Sequence, residues 1–196
     1  MVYDSQSLKA KYNGYSNINQ KISLECKKGK LTRIKRGLYT DDFMHDLELI
    51  ANVCYSPSYL SFEYALSQYG MIPEYVSTLT SAVYGKRNNK TYRLHGASFE
   101  YQSIPKAVFS KGVIVRRNQQ GYCYKIATKE KALCDMLYSK YPVRSIKDLR
   151  YLLFEDLRID EESFLTLNID LLKEIAPLYH SNTLNVFLNY LKKEHR

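Results

Sequence analysis

Apolar residues recur at helical spacing near both ends of the chain and at a spacing of two through its middle. That change of period predicts an α+β protein built as helices, then a sheet, then helices. From the start, a short helical stretch runs from Asp4 to about Tyr12 and Asn13-Gly14 marks a turn. Ser16 is placed to cap a second helix reaching about Lys28, which Gly29 then ends. On that helix Ile18, Ile22 and Cys26 share one face with Glu25 beside them, while Asn17, Gln20, Leu24 and Lys27 point the opposite way. In KGKLTRIKRGLYTDD the period becomes two. Leu31, Arg33 and Lys35 alternate with Thr32, Ile34 and Arg36, and Gly37 makes a turn before Leu38-Tyr39-Thr40. Helix, turn, helix and ribbon in this order predict a winged helix-turn-helix over residues 1–42.

Residues 43–196 form the larger expected domain, α+β with an antiparallel sheet and a C-terminal run of helices. Asp41 and Asp42 can cap a helix from Phe43 to about Val53. Ser56-Pro57 is placed to start another, with Tyr59, Phe62, Ala65, Leu66 and Tyr69 as its apolar stripe and Gly70 as its end. Between Tyr75 and Ala127 the segments VSTLTSAVY, KTYRLHGASFEYQSI, KGVIVRR and YCYKIA alternate as strands do. Helical patterning returns in KEKALCDMLYSKY, SIKDLRYLLFEDL, EESFLTL, IDLLKEIAPLY and TLNVFLNYLKKE.

Charge sharpens the reading of the first module. The chain carries a net charge of +9, and nine of its 29 Lys and Arg but only two of its 20 acids fall in residues 1–40. A local excess of this size on a helix and a ribbon is the electrostatic footprint of a phosphate-bearing partner. The outward helix face has the chemistry to read bases, since Asn and Gln pair with adenine, Lys with guanine or phosphate, and Leu24 can meet a thymine methyl. Cations on the ribbon suit the backbone or the minor groove, with Tyr39 either reaching phosphate or packing beneath. With 45% hydrophobic residues, 8 Gly and 5 Pro, nothing in the chain resembles a disordered or low-complexity segment. No apolar run approaches a membrane span or a signal-peptide core, so a cytoplasmic protein is expected.

Three blocks, KGKLTRIKRGLYT, SYLSFEYALSQYGMIPE and KIATKEKALCDML, occur in an order that resembles the abortive-infection AbiE antitoxin family of bacterial regulators (AbiEi), over residues 30 to about 136. The resemblance implies a winged-helix domain that represses its own operon by binding double-stranded promoter DNA. It further implies a C-terminal domain that counters a nucleotidyltransferase toxin encoded next door. That family's winged helix usually has one more helix ahead of those found here. Carried across, its basic recognition surface falls on Asn17, Asn19, Gln20, Lys21, Lys27, Arg33, Lys35 and Arg36; Lys28 and Lys30 complete the expected DNA-binding set.

In the other two blocks Tyr59, Leu60, Phe62, Ala65, Leu66, Ala132, Leu133 and Leu137 look like core, leaving Glu63, Glu130, Lys131 and Asp135 as the polar remainder. Glu130 sits in a first helical turn behind Thr128, where a carboxylate suits the helix dipole. Glu130, Lys131 and Asp135 also raise a metal-dependent nuclease as an alternative, but acids five apart face different sides of a helix. His45, His95, His180 and His195 are isolated, and no phosphate loop or nucleotidyltransferase pattern is present, so neither catalytic residues, metal ligands nor a cofactor are expected. Cys26, Cys54, Cys123 and Cys134 lack C-x-x-C spacing and read as buried free thiols. With 19 tyrosines in the chain, a second alternative is RNA binding by the sheet, its aromatics lying near Lys86, Arg87, Lys90 and Arg93.

Overall fold

The computed structural model describes residues 1–85 and 89–194. Lys86, Arg87 and His195 lie outside that range. The chain begins with β1 (Val2–Asp4), α1 (Ser5–Lys11), α2 (Ile18–Lys27) and the hairpin β2 (Thr32–Lys35) and β3 (Leu38–Thr40). These strands form an antiparallel sheet in the order β1-β3-β2, with Val2 and Thr32 both opposite Thr40. Three residues are too few to display a period, so β1 is invisible in the sequence pattern. Asp4 accepts from the Ser7 N–H at 2.7 Å and so caps α1. The expected cap of α2 moves by one residue: Asn17 Oδ1, not Ser16, accepts from the Gln20 N–H at 3.0 Å. Leu8, Ile22 and Leu31 make a small separate core, with Tyr3, Tyr12, Ile18, Cys26 and Tyr39 around it.

The larger part is α+β, and its sheet is mixed rather than antiparallel. It comprises β4 (Ser58–Leu60), β5 (Leu79–Tyr84), β6 (Lys90–Leu94), β7 (Ala97–Ile104), β8 (Val113–Arg117) and β9 (Cys123–Ala127), in the order β6-β7-β5-β4-β9-β8. The strand expected over KTYRLHGASFEYQSI is two strands folded at His95-Gly96, both of which have positive φ. This hairpin places β7 beside β5, two reversals later in the chain, so β5 and β7 run parallel. Likewise β4 meets β9 in parallel at Leu60 and Ile126. The helix expected to begin at Ser56-Pro57 instead starts at Phe62, because Ser58, Tyr59 and Leu60 form the buried strand β4. A three-residue run buried at every position offers no period by which to separate strand from helix.

The helices complete the architecture. Helix α3 (Leu47–Cys54) begins four residues later than expected. Asp46 precedes it, but its carboxylate accepts from Thr40 Oγ1 at 2.7 Å and from the Met1 ammonium at 2.8 Å instead of capping the helix. Next, α4 (Phe62–Gln68) and α5 (Lys129–Ser139) pack together on the sheet. Finally, α6 (Ile146–Arg150), α7 (Glu161–Leu165), α8 (Ile169–Ile175) and α9 (Asn182–Glu194) follow in the segments expected to be helical.

The centre of this assembly is charged. Lys131 and Asp135, one turn apart on α5, are both 0% exposed, and the ammonium donates to Asp135 Oδ1 at 2.7 Å. Tyr179 hydroxyl bridges the pair, 2.6 Å from Lys131 Nζ and 2.6 Å from Asp135 Oδ1. Asp135 Oδ2 accepts from Ser61 Oγ at 2.7 Å and from the Tyr59 hydroxyl at 3.0 Å. Burial, reinforced by the adjacent carboxylate, drives the Tyr59 and Tyr179 hydroxyls well above the usual tyrosine range, so they remain donors at any physiological pH. Gly112 runs against this cluster at positive φ, and a Cβ there would lie 2.9 Å from Lys131 Cβ.

Stranding a buried charge costs about 3–5 kcal/mol. Asp135→Ala, which leaves the ammonium without its counter-ion, is expected to lose that much, read as a lower urea midpoint. Lys131→Met leaves Asp135 its three hydroxyl donors and is expected to cost less. An equal loss in both variants would contradict the carboxylate's role as the organising group.

Candidate nucleic-acid interface

The N-terminal basic residues divide into an exposed set and a set held by the fold. Asn19, Gln20, Lys27, Lys28, Lys30, Arg33 and Arg36 are exposed, and none has a side-chain hydrogen bond or ion pair among the described residues. Gln20 and Lys27 share the outer face of α2 with Leu24, which is 44% exposed. Asn19 and Arg33 instead line a groove of about 240 Å³ between α2 and the hairpin, together with Ile22, Ser23, Cys26 and Tyr39. An amide from the helix and a guanidinium from the ribbon are thereby brought to one concave strip, a pairing the helical wheel does not reveal. Tyr39 is half-buried and packs against the small core, so it is a wall of the groove.

Three of the expected contact residues are committed to the fold. Asn17 spends its side-chain oxygen on the cap of α2. Lys21 is half-buried, 2.9 Å from Glu25 Oε1 and 4.6 Å above the Tyr15 ring, where it secures the turn between the two helices. Lys35 donates to the Cys54 carbonyl at 2.7 Å, at the end of α3 where unpaired carbonyls and the helix dipole attract a cation. The pairing register slips between Arg33 and Lys35, yet the expected alternation holds along the strand: Thr32 is half-buried, Arg33 exposed, Ile34 buried and Lys35 exposed. Ile34 is buried in the larger core, while Arg33 and Arg36 stay outside.

The other candidates are placed as follows. Glu130 lies in the first turn of α5 behind its cap Thr128, and Glu130 Oε1 accepts from the Asn168 N–H at 2.9 Å. Asp135 faces Lys131 and the hydroxyls, away from Glu130's partner, so the acids do not converge. Among the described residues no group of three His, Cys, Asp or Glu side chains is gathered for a metal ion. The aromatics of the β6-β7 hairpin turn inward: Phe99 and Tyr101 are buried, and Tyr92 packs on Tyr55 and Tyr101. Lys90 and Arg93 are exposed on the edge strand β6. All four cysteines are free; Cys54 and Cys134 are buried and Cys26 partly so, but Cys123 is exposed.

No helix among the described residues is long and apolar enough to cross a membrane. No family model and no curated protein gives a significant match to the chain.

The module's electrostatics set its response to acid. The Ser7 N–H holds Asp4 below the usual carboxylate range, and the Lys21 hydrogen bond does the same for Glu25. A folded pKa below the unfolded one gives stability that is complete above the unfolded value, about 4, and lost as pH falls through the folded value. Acidification below pH ~4 is therefore expected to loosen α1 and α2. Amide exchange at Leu8 and Ile22 across a pH series, corrected for intrinsic rates, checks this, and protection unchanged to pH ~2 would contradict it.

Proposed function

We propose that this chain is an AbiEi-type antitoxin that also represses its own promoter, with residues 1–42 as a winged helix-turn-helix and residues 43–196 carrying the antitoxin role. The observation that carries the DNA-binding half is the groove in which Asn19 of α2 and Arg33 of β2 meet, flanked by the unpaired Gln20, Lys27 and Arg36. Support for the winged-helix reading comes from connectivity: strand, two helices and a hairpin, with β1 closing on β3. In this reading α2 enters a major groove, Gln20 and Asn19 address base edges, and Arg33 and Arg36 grip the backbone.

The antitoxin half rests on the three sequence blocks, and the meeting of the second and third in the buried polar cluster supports it. Lys35 of the first block is bonded to α3, while Tyr59 and Ser61 of the second meet Lys131 and Asp135 of the third. The blocks therefore mark a framework joining the DNA-facing hairpin to the larger domain. The proposed partners are double-stranded promoter DNA and a nucleotidyltransferase toxin from the adjacent reading frame, and the proposed setting is the bacterial cytoplasm.

Anisotropy titrations of the full chain on its own upstream DNA test the first half. Gln20→Ala is expected to cost about 1–3 kcal/mol on the preferred site and little on random duplex. Arg36→Ala is expected to weaken both equally and to reduce the salt slope by about one. Indistinguishable profiles for the two variants would remove the division of labour. Co-expression with the neighbouring toxin tests the second half: the Gln20→Ala chain should still restore growth while failing to silence a promoter reporter.

A further inference from the structure

A second meeting of aromatic and basic side chains lies far along the chain, where α5 gives way to α6. A cleft of about 280 Å³ opens there, lined by Tyr141, Pro142, Val143, Arg144, Asp148 and Tyr151. Its volume is near the lower end of small-molecule sites, about 300 Å³. Tyr141 is 53% and Tyr151 59% exposed, and neither ring stacks on another ring among the described residues. Single exposed tyrosines need no explanation, but two on the walls of one cleft form a platform for a flat ligand.

The surrounding groups are poised for such a ligand. Tyr141 is held by its hydroxyl, which donates to Asp156 Oδ2 at 2.5 Å. Val143 is buried, and its N–H donates to Thr183 Oγ1 at 3.0 Å, which anchors that side of the cleft to α9. Arg144 is exposed, with no hydrogen-bond or ion-pair partner among the described residues. Asp148 Oδ2 accepts from Ser145 Oγ at 2.7 Å, and Oδ1 has no partner among the described residues.

The backbone supplies an independent observation. Residues Tyr151–Asp156 form a π-helical segment, and the Leu157 N–H reaches the Leu152 carbonyl, five residues back, at 2.9 Å. Such turns are rare and are frequent at functional sites. This one begins on Tyr151 itself.

We propose that this cleft binds one unpaired nucleobase with its attached phosphate, the base between Tyr141 and Tyr151 and the phosphate on Arg144. Aromatic side chains stack on the face of any base, and guanidinium matches phosphate geometry. Asp148 Oδ1 can accept from the exocyclic amino group of adenine, guanine or cytosine, whereas uracil offers it only the ring N3–H, set deeper between two carbonyl oxygens that repel a carboxylate. A base inside a duplex has no free face, so the source is a free nucleotide or a single strand.

The test is fluorescence anisotropy of a labelled ten-nucleotide oligo(rA) with the full chain, with AMP and UMP as competitors. Tyr151→Leu keeps apolar bulk but loses the stacking face and is expected to weaken binding about tenfold. Tyr151→Phe should bind normally, and Arg144→Gln should weaken binding and flatten its salt dependence. Tyr75→Leu, at an exposed tyrosine elsewhere, should change nothing. Duplex operator binding by Tyr151→Leu should be unaltered, which separates this cleft from the N-terminal module. AMP should compete better than UMP; competition as strong as an unlabelled strand assigns free nucleotide as the source, and much weaker competition assigns the strand. Binding that is lost in Arg36→Ala but kept in both cleft variants, or the failure of oligo(rA) and AMP to bind at all, overturns the proposal.

Discussion

An ammonium and a carboxylate sealed from water are tolerable only when every neighbour is in place, and the ion pair of Lys131 and Asp135 sets that condition for the larger domain. Its partners come from β4, from the residue that follows β4, and from the turn after α8. The chain at Gly112 closes one side with no room for a side chain. A one-residue slip of β4 would turn Tyr59 to the other face of the sheet and leave Asp135 short of a donor. The pair therefore links strand register, the seating of α5 and the docking of the C-terminal helices in a single polar contact. An apolar core alone would tolerate small shifts among these elements more readily than a network that must satisfy each donor and acceptor.

The N-terminal module depends on this framework. Its own core contains only Leu8, Ile22 and Leu31 as buried apolar residues, and a unit of about 40 residues seldom holds itself together without outside help. Help comes through the hairpin. Ile34 enters the larger core, Lys35 bonds the end of α3, and Thr40 donates to the buried Asp46. Bracing the hairpin fixes one wall of the groove that Asn19 and Arg33 share, while α2 keeps its outer face free. The basic surface thus has a defined orientation relative to the larger domain.

Much of this was legible because it is local. Helices α5 to α9 announce themselves by repeated apolar residues at helical spacing, and Thr128 stands just ahead of α5 with Glu130 in its first turn. The concentration of cations before Thr40 is a count along the chain. The elements that escaped notice are those whose identity is conferred by distant partners. β4 is three buried residues with no period of their own, and the sheet became mixed because a hairpin folded at His95-Gly96 inserts β7 beside β5. Lys21 and Lys35 look like any surface cation until Glu25, Tyr15 and the end of α3 are placed around them.

The α+β class, the order of most elements and the concentration of positive charge at one end can be read along the chain, since propensity, period and net charge all act over a few residues. Which cations remain available, which acids are buried and paired, and that Tyr141 and Tyr151 line one cleft emerge from the folded arrangement alone. Those properties depend on desolvation and on contacts between residues far apart in sequence. Spacing along the chain records neither, because the groups that satisfy a buried charge or wall a cleft come from whichever segments the sheet and its helices bring together.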